Sequence, residues 1–280
     1  MSEKLLTPAE VLRRHGLKAK HSWGQNFLGD EGWLTRIAQS LRVGVGDRGV
    51  ELGAGLGHLT RALLDTGASV VAVERDREMA VILREHRWER LEVVEADAAR
   101  VQFAQVGHAD RLVIAGNLPY HLSSSILFQV LRQQASVVRA VFTLQKEVVD
   151  RLAAPPGGRD YGLLPALLGL YFDLESLGVI GRHLFTPPPK VDSAVVLLEA
   201  LPQPRSQVSS VEGFIRVVKA GFAQRRKTLS NSLKSDAELG GPERIAAALA
   251  RAGIDGQRRA ETLSSVEFAA LERAFAAQDF

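Results

Sequence analysis

The sequence predicts an α/β protein: a mostly parallel, seven-stranded sheet with helices on both faces, then a small all-helical domain. Three observations carry that prediction. Short β-branched runs alternate with helical stretches over residues 49–153, the pattern of βαβ units. Glu51-Leu-Gly-Ala-Gly-Leu-Gly-His58 puts glycine at 53, 55 and 57, between the first of those runs and a helix. Everything after Pro202-Gln-Pro-Arg-Ser-Gln-Val-Ser-Ser210 reads helical.

Each element has its own reason. Thr7-Pro8-Ala9-Glu10 opens a short helix, with a cap, Pro at the first helical position and Glu closing a capping box. Leu17 to Leu28 mixes bases, aromatics and amides without period. It reads as a loop, either a lid beside a ligand or an arm anchored by Trp23 and Phe27. Residues 30–42 form an amphipathic helix with Leu34, Ile37, Ala38 and Leu41 on one face. Strands are expected at 49–52, 70–73, 91–94, 112–115 and 138–143, with helices at 59–66, 75–86, 123–134 and 145–153. Residues 161–172 are apolar nearly all round, as a buried helix would be. Strands at 175–180 and 193–199 finish the sheet, and Pro187-Pro-Pro189 forbids regular structure between them. Helices are expected at 211–229, 242–252 and 265–277, the last with a Ser264/Glu267 capping box. The linker divides the chain into domains at 1–201 and 210–280.

Composition narrows the function. The 280 residues contain no cysteine, which excludes disulfides, thiolate metal sites and cysteine nucleophiles. No apolar run approaches a membrane span, and Met1-Ser-Glu-Lys4 lacks a leader's apolar core. Together these favour the cytoplasm. Net charge is +3 but uneven. Residues 1–23 carry five Lys/Arg against two Glu, 24–200 carry 18 against 21, and 201–280 carry 12 against nine. Basic ends suit a polyanion such as nucleic acid, but charge alone favours plain solvated surfaces.

The glycine turn is the candidate cofactor site. Glycines there permit positive φ and close backbone approach. In an open parallel sheet, ligands sit beyond the carboxyl ends of the strands. The next two strands end in acids: Glu74, placed to take both hydroxyls of a ribose, and Asp97, placed to meet an adenine edge. The spacing is G-x-G-x-G, not the G-x-G-x-x-G of dinucleotide folds. With Glu51 before the first glycine and the second acid at Asp97, it fits a smaller, cationic, phosphate-free ligand such as S-adenosylmethionine. The same spacing disfavours a nicotinamide oxidoreductase.

Asn117-Leu-Pro-Tyr120 ends the fourth strand. An exocyclic adenine amine is a poor nucleophile because its lone pair is spread into the ring. The Asn117 side-chain oxygen and the Pro119 carbonyl are candidates to accept its two N–H groups and bias the nitrogen toward a pyramidal shape. Pro119 also stiffens the loop. Tyr120 offers a face on which a flipped-out base can stack. Methyl transfer from a sulfonium then requires positioning, without metal, covalent nucleophile or strong base.

These stretches, with Gln25-Asn-Phe-Leu28, Leu144-Gln-Lys-Glu-Val148, Phe185-Thr-Pro-Pro-Pro-Lys-Val-Asp-Ser193, Gln224-Arg-Arg-Lys-Thr-Leu229 and Arg259-Ala-Glu-Thr-Leu263, resemble the KsgA-type small-subunit ribosomal RNA adenine dimethyltransferases. The resemblance implies a class I methyltransferase fold with a helical C-terminal domain. It implies transfer of two methyls to each of two adjacent adenosines in the 3′-terminal hairpin loop of small-subunit rRNA, within a pre-30S particle. It implies cofactor contacts at Asn26, Leu28, Gly53, Glu74, Asp97 and Asn117. Gln25 and Gly55 join them as candidates from the same motifs. Phe185 resembles the second aromatic that sandwiches the target base with Tyr120. His121 departs from the family, where many members carry Asn. Large-subunit rRNA dimethyltransferases and non-catalytic assembly or transcription factors share the core and stand as alternatives. A monomer is the default.

On a helical wheel of residues 211–234, Val211, Phe214, Ile215, Val218, Phe222, Leu229 and Leu233 form one stripe. Arg216, Lys219, Arg226, Lys227 and Lys234 form another, and Arg225 falls on the apolar side, where it would need a buried acid. A basic ridge beside a buried stripe suits phosphate tracking. Arg216, Lys219, Arg225, Arg226 and Lys227 are the RNA-binding candidates.

Overall fold

The computed structural model describes residues 6–277, so Met1 to Lys4, where no leader is expected, lies outside the described residues. The strands are β1 Phe27–Leu28, β2 Arg48–Leu52, β3 Ser69–Glu74, β4 Leu91–Glu95, β5 Leu112–Asn117, β6 Val137–Gln145, β7 Phe172–Ile180, β8 Phe185–Thr186 and β9 Ser193–Ala200. Seven make one sheet in the order β4-β3-β2-β5-β6-β9-β7. The first five in that order run parallel, and β9 pairs antiparallel with β6. β1 and β8 form a separate antiparallel ribbon that sets Leu28 opposite Phe185.

A central strand buries both faces, so its sequence runs apolar without alternation. In β3 every residue from Val70 to Glu74 is buried. Helix His58–Asp65 follows β2 and presents Leu59, Leu63 and Leu64 to the core. Those side chains join Leu34, Ile37 and Ala38 from helix Glu31–Ser40 in one cluster with Val70 and Val141 of the sheet. Asp30 starts helix Glu31–Ser40 by accepting from the Trp33 amide at 2.8 Å. The capping boxes at Thr7/Glu10 and Ser264/Glu267 are both formed.

The order of the strands fixes where a ligand can sit. The chain moves outward from β2 through β3 to β4, then returns to β5 on the other side of β2. The carboxyl ends of β2 and β5 therefore diverge into loops on opposite faces, and a crevice opens between them. The glycine turn leaves one of those ends and Asn117 closes the other.

Packing divides the chain into two compact units: Met1–Val149 with Glu175–Glu199, and Asp150–Leu174 with Ala200–Phe280. Residues 150–174 therefore group with the C-terminal helices, which the single linker expected at 202–210 does not reveal. Within them the expected helix is shorter. It covers Leu163–Leu168, and β7 already begins at Phe172.

In the second unit, the long helix expected over 211–229 is two helices, Val211–Phe222 and Leu229–Leu233. Its start is doubly fixed. Ser210 accepts from the Gly213 amide at 2.9 Å, and buried Glu272 accepts from the Ser209 and Ser210 amides. Its end is set by Ser232, fully buried, which donates to the Ala220 carbonyl at 2.8 Å and accepts from the Gln224 amide at 3.1 Å. A side chain thus replaces the helical partners, and the chain turns. The wheel over 211–234 is accordingly invalid past Phe222. Arg225, Arg226 and Lys227 all stand exposed on the turn, so Arg225 needs no buried acid. Arg216 pairs with Glu238 at 2.5 Å, and Lys219 lies exposed on the same helix.

Candidate active site

One cavity of the first unit collects the turn after β2, the loop after β5, the segment before β1 and the residue that begins β8. Gly53, Gly55, Glu74, Asn117, Pro119, Tyr120 and Phe185 all line it, as do Gln25, Asn26 and Leu28. Gly53, Gly55 and Gly57 have φ of 73°, 55° and 88°, the left-handed region that glycine enters at no steric cost. Gly55 is required by its surroundings as well, because a Cβ there would stand 2.9 Å from Cε1 of Phe27.

Glu74 ends β3 and is 6% exposed. Its Oε2 accepts from the Gly55 amide and its Oε1 from the Asp76 amide, each at 2.8 Å. Burial pushes its carboxyl above the ordinary value, opposed by the amides of Asp76 and Gly55. Each carboxylate oxygen can accept more than one hydrogen bond, so Glu74 keeps capacity for a ligand's hydroxyls. Asp97 is placed differently. Its neighbours Ala96 and Ala98 line the cavity, while its own carboxylate accepts from the Ala99 amide at 3.0 Å and lies 3.9 Å from Arg100.

Asn117 donates from Nδ2 to the Asn26 carbonyl at 2.9 Å. That bond leaves its amide oxygen as the accepting edge. Tyr120 is half-buried and shares a hydrogen bond with Ser193 Oγ at 2.9 Å, which fixes the ring. Burial pushes its phenol above the usual value, so it stays neutral. Phe185 is 3% exposed. His121 also lines the cavity, and its Nδ1 would lie 3.2 Å from a Cβ on Gly24. The residue that departs from the family pattern therefore packs against Gly24 of the 17–28 loop.

Several residues have surroundings that their motifs do not disclose. Glu51 lines the cavity, is 1% exposed, and accepts from Thr60 Oγ1 at 2.5 Å. An acid inside an apolar strand is uncommon, which is the signal that sets it apart in the sequence. Trp23 lines the cavity too, with the Arg75 guanidinium 4.4 Å from its ring centroid. Gln25 lines it, yet both ends of its amide are committed, to Asp76 and to the Lys20 amide. Nothing in the sequence spacing pairs Lys20 with Asp76.

Known proteins resemble this chain over nearly its full length. A "Ribosomal RNA small subunit methyltransferase A" of Myxococcus xanthus is 58% identical over 268 residues, covering 96% of this chain and 95% of that one. The protein of that name from Anaeromyxobacter sp. is 50% identical over 283 residues, 98% and 99% of the two chains. Among solved structures, a dimethyladenosine transferase from Plasmodium falciparum has a TM-score of 0.74 at 25% identity, covering 88% of this chain and 95% of that one. The 23S rRNA methyltransferase ErmE has a TM-score of 0.65 at 26% identity, covering 90% and 100%. The fold is thus that of the class I rRNA methyltransferases. The sequence model described as ribosomal RNA adenine dimethylase matches residues 16–277, and with relatives this similar along the whole chain, the protein belongs to the ribosomal RNA adenine dimethylase family.

Proposed function

We propose that this enzyme transfers methyl groups from S-adenosylmethionine to N6 of two adjacent adenosines in the 3′-terminal hairpin loop of small-subunit rRNA, forming N6,N6-dimethyladenosines. The observation that carries the reading is the convergence of Asn117, Pro119, Tyr120 and Phe185 on the cavity floored by Gly53 and Gly55. The small-subunit branch is favoured over the large-subunit one by relatives of that name at 58% and 50% identity.

The residues present fit the cofactor. Gly55 brings backbone to the cavity where a side chain would collide, and Glu74 stands beside it with acceptor capacity for a ribose. Asn26, Leu28, Ala96 and Ala98 line the same cavity and complete the walls for an adenosine. When bound, S-adenosylmethionine supplies a methyl made electrophilic by its sulfonium. The chain's own part is to hold the amine in line. The Asn117 amide oxygen and the Pro119 carbonyl accept the two N–H groups, which withdraws the lone pair from ring conjugation. Tyr120 and Phe185 present aromatic faces to the unstacked base, at a stacking gain of about 1–3 kcal/mol per base. Holding both reactants in line converts a bimolecular step into an intramolecular one.

Arg216, Lys219, Arg225, Arg226 and Lys227 are the phosphate-binding side chains in this reading, with the last three on a solvent-facing turn. Pre-30S particles are the partner, a monomer the working form and the cytoplasm the location. These finer assignments rest on the family resemblance, and the location also on the cysteine-free composition.

Purified enzyme, labelled S-adenosylmethionine and unmethylated small subunits test the proposal. Mass spectrometry of the rRNA should find two adjacent dimethyladenosines near the 3′ end. No label in small-subunit rRNA defeats it, and label appearing only when unmethylated large subunits are supplied in their place moves the enzyme to the large-subunit branch. Asn117→Ala should lower turnover by about 30-fold or more, some 2 kcal/mol of transition-state stabilisation, as loss of one oriented polar group does elsewhere. Near-normal turnover would remove Asn117 from the chemistry.

A further inference from the structure

The segment that carries residues 23–28 along the cavity is fastened by one buried carboxylate. Asp76 is 2% exposed and lies outside the cavity lining. Its Oδ1 accepts from Lys20 Nζ at 2.8 Å and from the Glu78 amide at 3.2 Å. Its Oδ2 accepts from Gln25 Nε2 at 2.8 Å. Gln25 Oε1 in turn accepts from the Lys20 amide at 2.8 Å, which closes a ring of bonds: Lys20 backbone, Gln25, Asp76, Lys20 ammonium. Lys20 also pairs with Glu78 at 2.6 Å and lies 5.0 Å from the centroid of the Trp23 ring.

The ring is wired to the cofactor turn. The Asp76 amide donates to Glu74 Oε1, and Glu74 Oε2 accepts from the Gly55 amide. A carboxylate this buried is costly unless its oxygens are matched by donors. Of the three donors to Asp76, two come from the segment. Burial raises its carboxyl, and the bonds from Lys20 and Gln25 outweigh that and hold it below the ordinary value. Closing the segment and satisfying Asp76 are therefore one event.

We propose that Asp76 is a positioning residue of the cofactor site. Lys20 and Gln25 act through it to hold the 20–28 segment across the cavity, and Gln25 contributes its grip on Asp76 rather than a bond to the ligand. The identity of the ligand rests on the function proposed above; the latch itself does not.

The experiment uses the full chain and S-adenosylmethionine, with Kd read by calorimetry. Asp76→Asn keeps a capping oxygen for helix Arg77–Glu85, so the fold is retained while the charge is removed. Asp76→Asn and Gln25→Ala should each raise Kd about tenfold, equivalent to ~1.4 kcal/mol. The double variant should be no weaker than the worse single, because both break one latch. Lys20→Met, which leaves the helix cap untouched, should behave alike and serves if Asp76→Asn fails to fold. A second signal comes from Trp23 as sole tryptophan, in a Trp33→Phe/Trp88→Phe background. Its emission should shift to the red in each latch variant.

Multiplying effects of Asp76→Asn and Gln25→Ala would make Gln25 a direct ligand and overturn the proposal. Unchanged Kd and unchanged Trp23 emission would overturn it too. Parent protein that binds no S-adenosylmethionine would sink the cofactor reading instead, and Trp23 emission would still decide the latch.

Discussion

Glu51 lies two residues before the glycine turn, all but closed to water, with the Thr60 hydroxyl donating to it. Burial pushes its pKa up to about 8; Thr60 opposes that and nearby Glu74 adds to it. An unfolded glutamate titrates near its ordinary 4.5. The folded protein therefore holds this proton where the unfolded chain has released it. The resulting stability is complete below about pH 4.5, declines at ~1.4 kcal/mol per pH unit, and is gone above about pH 8. Glu51→Gln removes that titration. Urea midpoints of the ligand-free variant should fall less than those of the parent between about pH 5 and about pH 8; parallel profiles would show that Glu51 ionises freely. The glycines differ in an equally testable way. A Cβ on Gly53 meets nothing closer than Pro119 Cδ at 4.0 Å, whereas on Gly55 it meets Phe27 at 2.9 Å. Both substitutions strain φ by about 1 kcal/mol, so Gly55→Ala should weaken S-adenosylmethionine binding more than Gly53→Ala. Equal Kd values would mean that Phe27 yields without cost.

Elements whose cause is local were legible in the chain. The capping boxes at Thr7 and Ser264 need only four consecutive residues, and both exist. The parallel strands needed only their apolar runs and a glycine turn. The break after Phe222 was hidden because neither Gly nor Pro occurs in the turn at residues 223–228, and Gly221 lies inside the helix; its cause, Ser232, lies beyond the turn and acts through space. That cause predicts a cost. Ser232→Ala leaves the Gln224 amide without its partner and the Ala220 carbonyl with the Ala223 amide alone, at 3.3 Å, and a polar group that loses its partner costs about 1–3 kcal/mol. Chemical denaturation should register that drop in stability. A value within error of the parent would mean that the two helices part for another reason. The ribbon of β1 with β8 was equally invisible, because it pairs only Phe27 with Thr186 and Leu28 with Phe185, far apart in sequence. So was the Lys20–Asp76 pair, which joins a loop to a helix cap 56 positions away.

Across the whole chain, motif and geometry agree wherever the motif residues face one cavity, and part where a residue's neighbours in space differ from those in sequence. Glu74, Asn117, Tyr120 and Phe185 are of the first kind. Gln25, with its amide bound at both ends, and Asp97, turned onto Ala99, are of the second. The cavity residues all belong to the first compact unit, and the five basic candidates all belong to the second. Binding of cofactor and attraction to RNA phosphates are then separable by substitution. Arg225, Arg226 and Lys227 are exposed, so removing them deletes charge without opening a core. Each phosphate left without its cation lowers the slope of log affinity against log salt by about 0.9 for duplex and about 0.7 for single strands. Arg225→Ala/Arg226→Ala/Lys227→Ala should therefore flatten the salt dependence of rRNA binding by roughly two to three units, while calorimetry with S-adenosylmethionine gives the parental Kd. A slope unchanged within about half a unit would take the turn out of the RNA interface and leave Arg216 and Lys219 to carry it. A cofactor Kd that moved with the slope would show instead that the two units do not act separately.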